Sequence, residues 1–207
     1  MLIYFVRHGE SEGNRGEFHH HPNTPLTKVG IKQAEVLAKR LSGIHFDLIY
    51  ASSQFRAKQT AEIINKKLNA PIEFWDELVE LRTPTEIHGK KIDDKDIKII
   101  KKVIRSNFIQ GNFKYSDEET PNEIIGRAGR VLKHLETKHN NQTILCVSHC
   151  TAIKAIVAKV IFGNKLSPDT LLKMRDRLFV QNTGITICEK SEKYDWTLNT
   201  WNDMSHV

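Results

Sequence analysis

Apolar positions recur along this chain with two alternating periods. Residues 2–6 form a short, almost uninterrupted apolar run that suits a strand buried on both faces. After Thr27, a side chain suited to an N-cap, Ile31, Ala34, Leu37, Ala38 and Leu41 fall at helical spacing, and Gly43 stands where a C-terminal cap belongs. Residues 46–51 predict a second buried strand. Ala57, Ala61, Ile64 and Leu68 predict a helix starting near Ser53, and residues 71–75 a third strand. Thr120-Pro121-Asn122-Glu123 reads as a capping box with proline at the first helical position, opening a helix through Ile124, Ala128, Val131, Leu132 and Leu135. Residues 144–147 predict a further strand, and Ile153, Ile156, Val157, Val160 and Ile161 a helix directly after it. Two last strands, 184–188 and 196–201, are joined through a polar turn.

Between these elements, residues 78–119 mix polar turns with one helical signal, Ile97, Ile100 and Ile104, and read as an inserted cap or lid. The whole predicts an α/β fold: one domain over residues 1–207, with a mostly parallel central sheet flanked by helices on both faces. At 207 residues and 39% hydrophobic content, the chain can bury a substantial core. No run approaches the roughly 18 apolar residues of a membrane span, and the N-terminus lacks a basic leader and a small-residue cleavage site. Cys146, Cys150 and Cys188 are an odd set without a CxxC pair, which argues against a disulfide framework and a structural zinc site. A cytoplasmic protein without a membrane partner is expected. The net charge of +6 is spread along the chain with no basic arm or aromatic-basic platform, so nucleic acid is not an expected partner.

In sheets of this kind ligands bind beyond the carboxyl ends of the strands. Arg7 and His8 follow the first predicted strand, Arg56 lies in the first helical turn after the second, and His149 follows the strand ending at Val147. Two arginines and two histidines on one edge would repel one another unless an anion belonged there. Arginine's planar fork grips phosphate oxygens in pairs, and the helix beginning near Arg56 adds its positive end. A neutral imidazole is nucleophilic near neutral pH once its other nitrogen donates to a backbone carbonyl. His8, in the turn Arg7-His8-Gly9-Glu10 where glycine permits close approach of backbone to ligand, is the better nucleophile. A carboxylic acid kept neutral by burial and by nearby phosphate charge would protonate a leaving alkoxide; Glu80 is the choice, although spacing alone does not separate it from Glu77.

Taken together, the segments Arg7-His8-Gly9-Glu10-Ser11-Glu12-Gly13-Asn14, Thr24-Pro25-Leu26-Thr27 with Gly30 and Gln33-Ala34, residues 52–61, Leu78-Val79-Glu80 and Val147-Ser148-His149 resemble the histidine phosphatase superfamily, the phosphoglycerate-mutase-like proteins, in family order over most of the chain. The resemblance implies that His8 is the phosphorylated residue. It also implies that Arg7, Asn14, Arg56 and His149 bind phosphate, that Glu80 is the acid, and that no metal or cofactor takes part. The expected activity is that of a metal-independent, histidine acid-type phosphomonoesterase acting on a small phosphorylated metabolite. Family mutases carry a Glu-Arg-His-Tyr-Gly type motif in a longer middle segment, and no such string is present, which places a phosphomutase second. A non-catalytic phosphate-binding module is the other alternative, and it would have to keep all five of Arg7, His8, Arg56, Glu80 and His149 without using them. Oligomeric state is left open, a homodimer included.

Several positions depart from the family pattern. Cys150 stands where glycine usually follows the second histidine; its thiol lies near cations that could lower its pKa, although a small buried hydrophobe is the plainer reading. Asn23-Thr24-Pro25 replaces the aspartate more usual in the family before the Pro-Leu-Thr, which is read as a local turn difference. His19-His20-His21 is read as a solvated loop at the pocket rim and not as a metal site, since three consecutive side chains rarely converge on one ion. Arg82, His88 and Lys90 are candidates for substrate contacts.

Overall fold

The computed structural model describes residues 1–16, 18–19 and 21–207, with the backbone alone at Arg15. Its strands are β1 (Leu2–Arg7), β2 (Leu48–Ala51), β3 (Ile72–Phe74), β4 (Thr143–Ser148), β5 (Ile185–Lys190) and β6 (Trp196–Asp203). Among the described residues the helices are α1 (Lys28–Leu41), α2 (Phe55–Leu68), α3 (Lys95–Ser106), α4 (Pro121–Lys138), α5 (Cys150–Phe162) and α6 (Pro168–Arg177), with short 3-10 turns between them. The strands make one six-stranded sheet in the order β3-β2-β4-β1-β5-β6. β3, β2, β4 and β1 run parallel, whereas β5 is antiparallel to β1 and β6 to β5. The expected α/β architecture is therefore present, with an antiparallel flank made by the last two strands.

β4 has neighbours on both sides and its residues are buried from Ile144 to Ser148. Its side chains alternate between faces as the strand period requires. Ile144 and Cys146 pack with Leu135 and Ile156 under the α4 and α5 face, while Leu145 and Val147 pack with Leu37, Ala57 and Ile64 under α1 and α2. Each fully buried Leu, Ile or Val contributes roughly 1.5–3 kcal/mol, so this two-sided core holds the strand ends in register.

Helix starts follow the expected caps. Thr27 accepts from the Gly30 amide, and Thr120 and Glu123 complete a reciprocal capping box. At the other end of α1 the outcome differs: Ser42, in right-handed geometry, is the C-cap, and Gly43 is not among the glycines with positive φ. The helix α6 was not signalled by periodicity, because only Leu171 of its residues is buried. In the middle segment α3 starts at an Asp94 cap and buries Ile97, leaving Ile99 61% exposed. Among the described residues no helix is long and apolar enough to cross a membrane.

Candidate functional site

Parallel pairing decides where the first histidine sits. Arg7 is the register partner of Ser148, so His8 and His149 leave neighbouring strands at the same level, and their ring centroids lie 5.0 Å apart. The β2 end is next in line: Ala51 pairs with Val147, and Ser52 Oγ lies 2.8 Å from His149 Nε2. Both histidines are buried, at 2% and 0% exposure. The residues read from separate stretches of sequence therefore meet on one sheet edge.

The turn carrying His8 is pinned by two helices. Gly9 and Gly30 pack backbone to backbone: a Cβ on Gly9 would stand 2.5 Å from the Gly30 carbonyl oxygen, and one on Gly30 would stand 1.9 Å from that of Glu10. Glycine here allows the close approach of this turn to α1. Gly9 N donates to Thr60 Oγ1, Glu10 N to Gln33 Oε1 and Thr27 N to the Glu10 carbonyl. Asn182 Nδ2 donates to the His8 carbonyl at 2.8 Å and approaches Asn14 Oδ1 at 3.4 Å, which brings Asn14 beside the same turn.

His8 Nδ1 lies 2.7 Å from the Gly9 carbonyl oxygen. That oxygen can only accept, so Nδ1 carries the proton, and Nε2 accepts from Arg56 Nε at 3.1 Å. Arg56, 2% exposed, also donates to Gln54 Oε1 at 2.5 Å and to the His21 carbonyl at 3.4 Å. Burial among neutral acceptors draws its pKa down to about 10, with Glu80 opposing the shift and Arg7 adding to it. It stays a cation at neutral pH. Arg7 donates to the Val180 carbonyl at 2.7 Å, and its buried Nε has no hydrogen-bond partner among the described residues.

Glu80 and Glu77, inseparable by spacing, part company in space. Glu77 faces α4, where its carboxylate pairs with Arg130 at 3.0 Å. Glu80 caps α5 directly after His149: Oε1 accepts from Thr151 N at 3.0 Å, Ala152 N at 3.1 Å and Leu81 N at 2.9 Å. Glu80 and Arg56 both line a cleft of ≈ 460 Å³ whose rim carries His19, His21, Arg82 and His88. Lys90 does not line it; its carbonyl accepts from His19 N. His20 lies outside the described residues. Burial, aided by Lys101 and His88, lowers the His19 pKa, so this ring protonates only at more acidic pH than an ordinary histidine. Cys150 behaves as a half-buried apolar group: burial, reinforced by Glu80, pushes its thiol pKa up, the reverse of activation by nearby cations.

Two polar residues of this edge were missed in the sequence. Ser52 stands at a strand end and could have been found by the same rule that found His149. Asn182 could not, because it precedes β5, whose N-terminus reaches this edge only because β5 is antiparallel.

Comparison with known proteins agrees with this geometry. The family model of the histidine phosphatase superfamily (branch 1) matches residues 3–204. The chain is 27% identical over 206 residues to the "Uncharacterized phosphatase PhoE" of Bacillus subtilis, covering 99% of this chain and 96% of that protein. It is 38% identical over 82 residues to the adenosylcobalamin/alpha-ribazole phosphatase of Escherichia coli, covering 39% of this chain and 40% of that one. Among solved structures it resembles Bacillus stearothermophilus YhfR, with TM-score 0.84 and 26% identity over 99% of this chain and 98% of that one. It also resembles a mutant phosphoserine phosphatase from Entamoeba histolytica in complex with phosphoserine, with TM-score 0.79 and 25% identity over 100% and 98%. With its strand order, its paired histidines and a family match over nearly its whole length, this chain belongs to the histidine phosphatase superfamily, branch 1.

Proposed function

We propose that this protein is a phosphomonoesterase that takes phosphate from small phosphorylated metabolites through a phosphohistidine on His8. The observation that carries the reading is the fixed tautomer of His8, protonated at Nδ1 by its bond to the Gly9 carbonyl and presenting Nε2 beside Arg56. In the first step the Nε2 lone pair bonds to phosphorus as the ester P–O bond breaks, and Glu80, protonated for this step, gives its proton to the departing oxygen. In the second, Glu80 takes a proton from water, whose oxygen bonds to phosphorus and releases His8 and inorganic phosphate. Arg7, Arg56, His149 and Asn14 hold the phosphoryl oxygens, and the preorganised cations take up the charge that develops on them, a role that calls for no metal. Residues 78–119 act as a cap, since Leu81, Arg82, Thr83 and His88 from this stretch line the cleft. Relatives named for alpha-ribazole and phosphoserine support a small metabolite as substrate.

His8→Ala tests the reading: it should abolish phosphate release and formation of a phosphoenzyme together, and full activity in this variant would end the proposal. Because the chain is also 23% identical over 216 residues to phosphoglycerate mutase-like protein 4 of Arabidopsis thaliana, 3-phosphoglycerate is an informative substrate. Free phosphate is the expected product, whereas interconversion with 2-phosphoglycerate would favour a mutase.

A further inference from the structure

Arg127 on α4 and Glu119, just before that helix, form an ion pair whose side chains are 5% and 1% exposed. Buried pairs of this kind are often replaceable by apolar residues without loss of stability, so their presence calls for another reason. The remaining hydrogen bonds of the pair supply one. Arg127 donates from Nε and NH2 to the Glu119 carboxylate at 2.7 and 2.6 Å, and from NH1 to the carbonyls of Glu77 and Val79 at 2.8 and 2.7 Å. Glu119 in turn grips Arg82 twice: its carboxylate accepts from Arg82 N at 3.4 Å, and its own amide donates to the Arg82 carbonyl at 3.0 Å. Ser148 Oγ donates to the carbonyl left between, that of Leu78, at 2.7 Å.

The backbone is thus held on both sides of one residue, Glu80, whose carboxylate reaches the N-terminus of α5. We propose that Glu119 and Arg127 are positioning residues that set the Glu80 carboxylate against the leaving-group oxygen. Neither touches the substrate. The inference rests on the assignment of Glu80 as the acid. A 77–82 segment released from α4 would let the carboxylate drift, and a misplacement of about 1 Å can cost on the order of 10²-fold in rate.

The test is leaving-group dependence. A p-nitrophenolate departs without a proton, whereas the alkoxide of β-glycerophosphate needs one, so the ratio of kcat/KM for the two substrates reports proton delivery. Each ratio comes from one preparation, so a reduced folded fraction cancels. Glu80→Gln should lower β-glycerophosphate turnover by about 10²-fold or more relative to p-nitrophenyl phosphate. Glu119→Gln, Arg127→Lys and the charge-free pair Glu119→Leu with Arg127→Met should shift the ratio the same way, by about tenfold or more. A split in Glu80→Gln with native ratios in the other three would overturn the positioning role alone. No split in Glu80→Gln would remove the acid assignment and this inference with it.

Discussion

His8 and His149 face each other at 5.0 Å because Arg7 and Ser148 are register partners on adjacent parallel strands. A slip of one residue in that pairing would turn one imidazole to the opposite face of the sheet. The apolar side chains of β1 and β4, interleaved with both helix layers, oppose such a slip, so the catalytic reading depends on the core as directly as on the polar residues.

Ser52 should matter through His149. The bond from Ser52 Oγ to Nε2 orients a buried ring, and a hydrogen bond of this kind contributes about 1 kcal/mol. Ser52→Ala should therefore lower kcat or phosphate affinity by about five- to tenfold with little change in melting temperature. An unchanged rate and phosphate Kd would show that the ring is held by other contacts.

Arg56 should trade stability for binding. Its charge is buried among neutral partners, and its depressed pKa, about 10, records the cost of that burial. Arg56→Gln should raise the melting temperature by about 2–6 °C, equivalent to roughly 1–2 kcal/mol, while phosphate no longer protects the fold. Calorimetry with and without phosphate measures both effects, and a variant less stable than the native protein would contradict the argument.

Gly30 leaves no room for a methyl group. Its Cβ would lie 1.9 Å from the Glu10 carbonyl oxygen, a backbone atom that cannot swing aside. Gly30→Ala should destabilise the protein by about 2–4 kcal/mol and displace the His8 turn, so denaturant unfolding and activity should fall together. Retained activity at native stability would show that α1 can retreat.

His134 should make part of the stability pH-dependent. It packs on Trp75 at 4.6 Å between ring centroids and lies near Tyr50, His139 and Glu73. Burial lowers its pKa below the ordinary 6.5, His139 and Lys138 add to the shift and Glu73 opposes it. A lowered folded pKa means that the unfolded chain binds the proton more tightly. The contribution is complete above about pH 6.5 and is lost as acidification passes the folded value. Melting temperatures from about pH 8 down to about pH 5 should decline less steeply for His134→Gln than for the native protein. Equal slopes would place the acid sensitivity elsewhere.

The amino-acid sequence by itself determined the local elements and the chemistry of the site. Apolar runs, caps such as Thr27 and Thr120, and the strand-helix alternation depend on neighbours within a few positions. Arg7, His8, Arg56 and His149 were legible as candidates because Arg7 ends a parallel strand, His8 and His149 directly follow one, and Arg56 opens the helix after another, and the carboxyl edge of such a sheet is where ligands bind. Tertiary structure alone showed that Glu80 and Glu77 meet different helices: the N-terminus of α5 for one, Arg130 of α4 for the other. It alone brought in Asn182, since an antiparallel β5 reverses which end of a strand reaches the site. It alone showed that Glu119 and Arg127 hold the backbone around Glu80, because hydrogen bonds between a side chain and a distant carbonyl leave no period, composition or spacing in the chain.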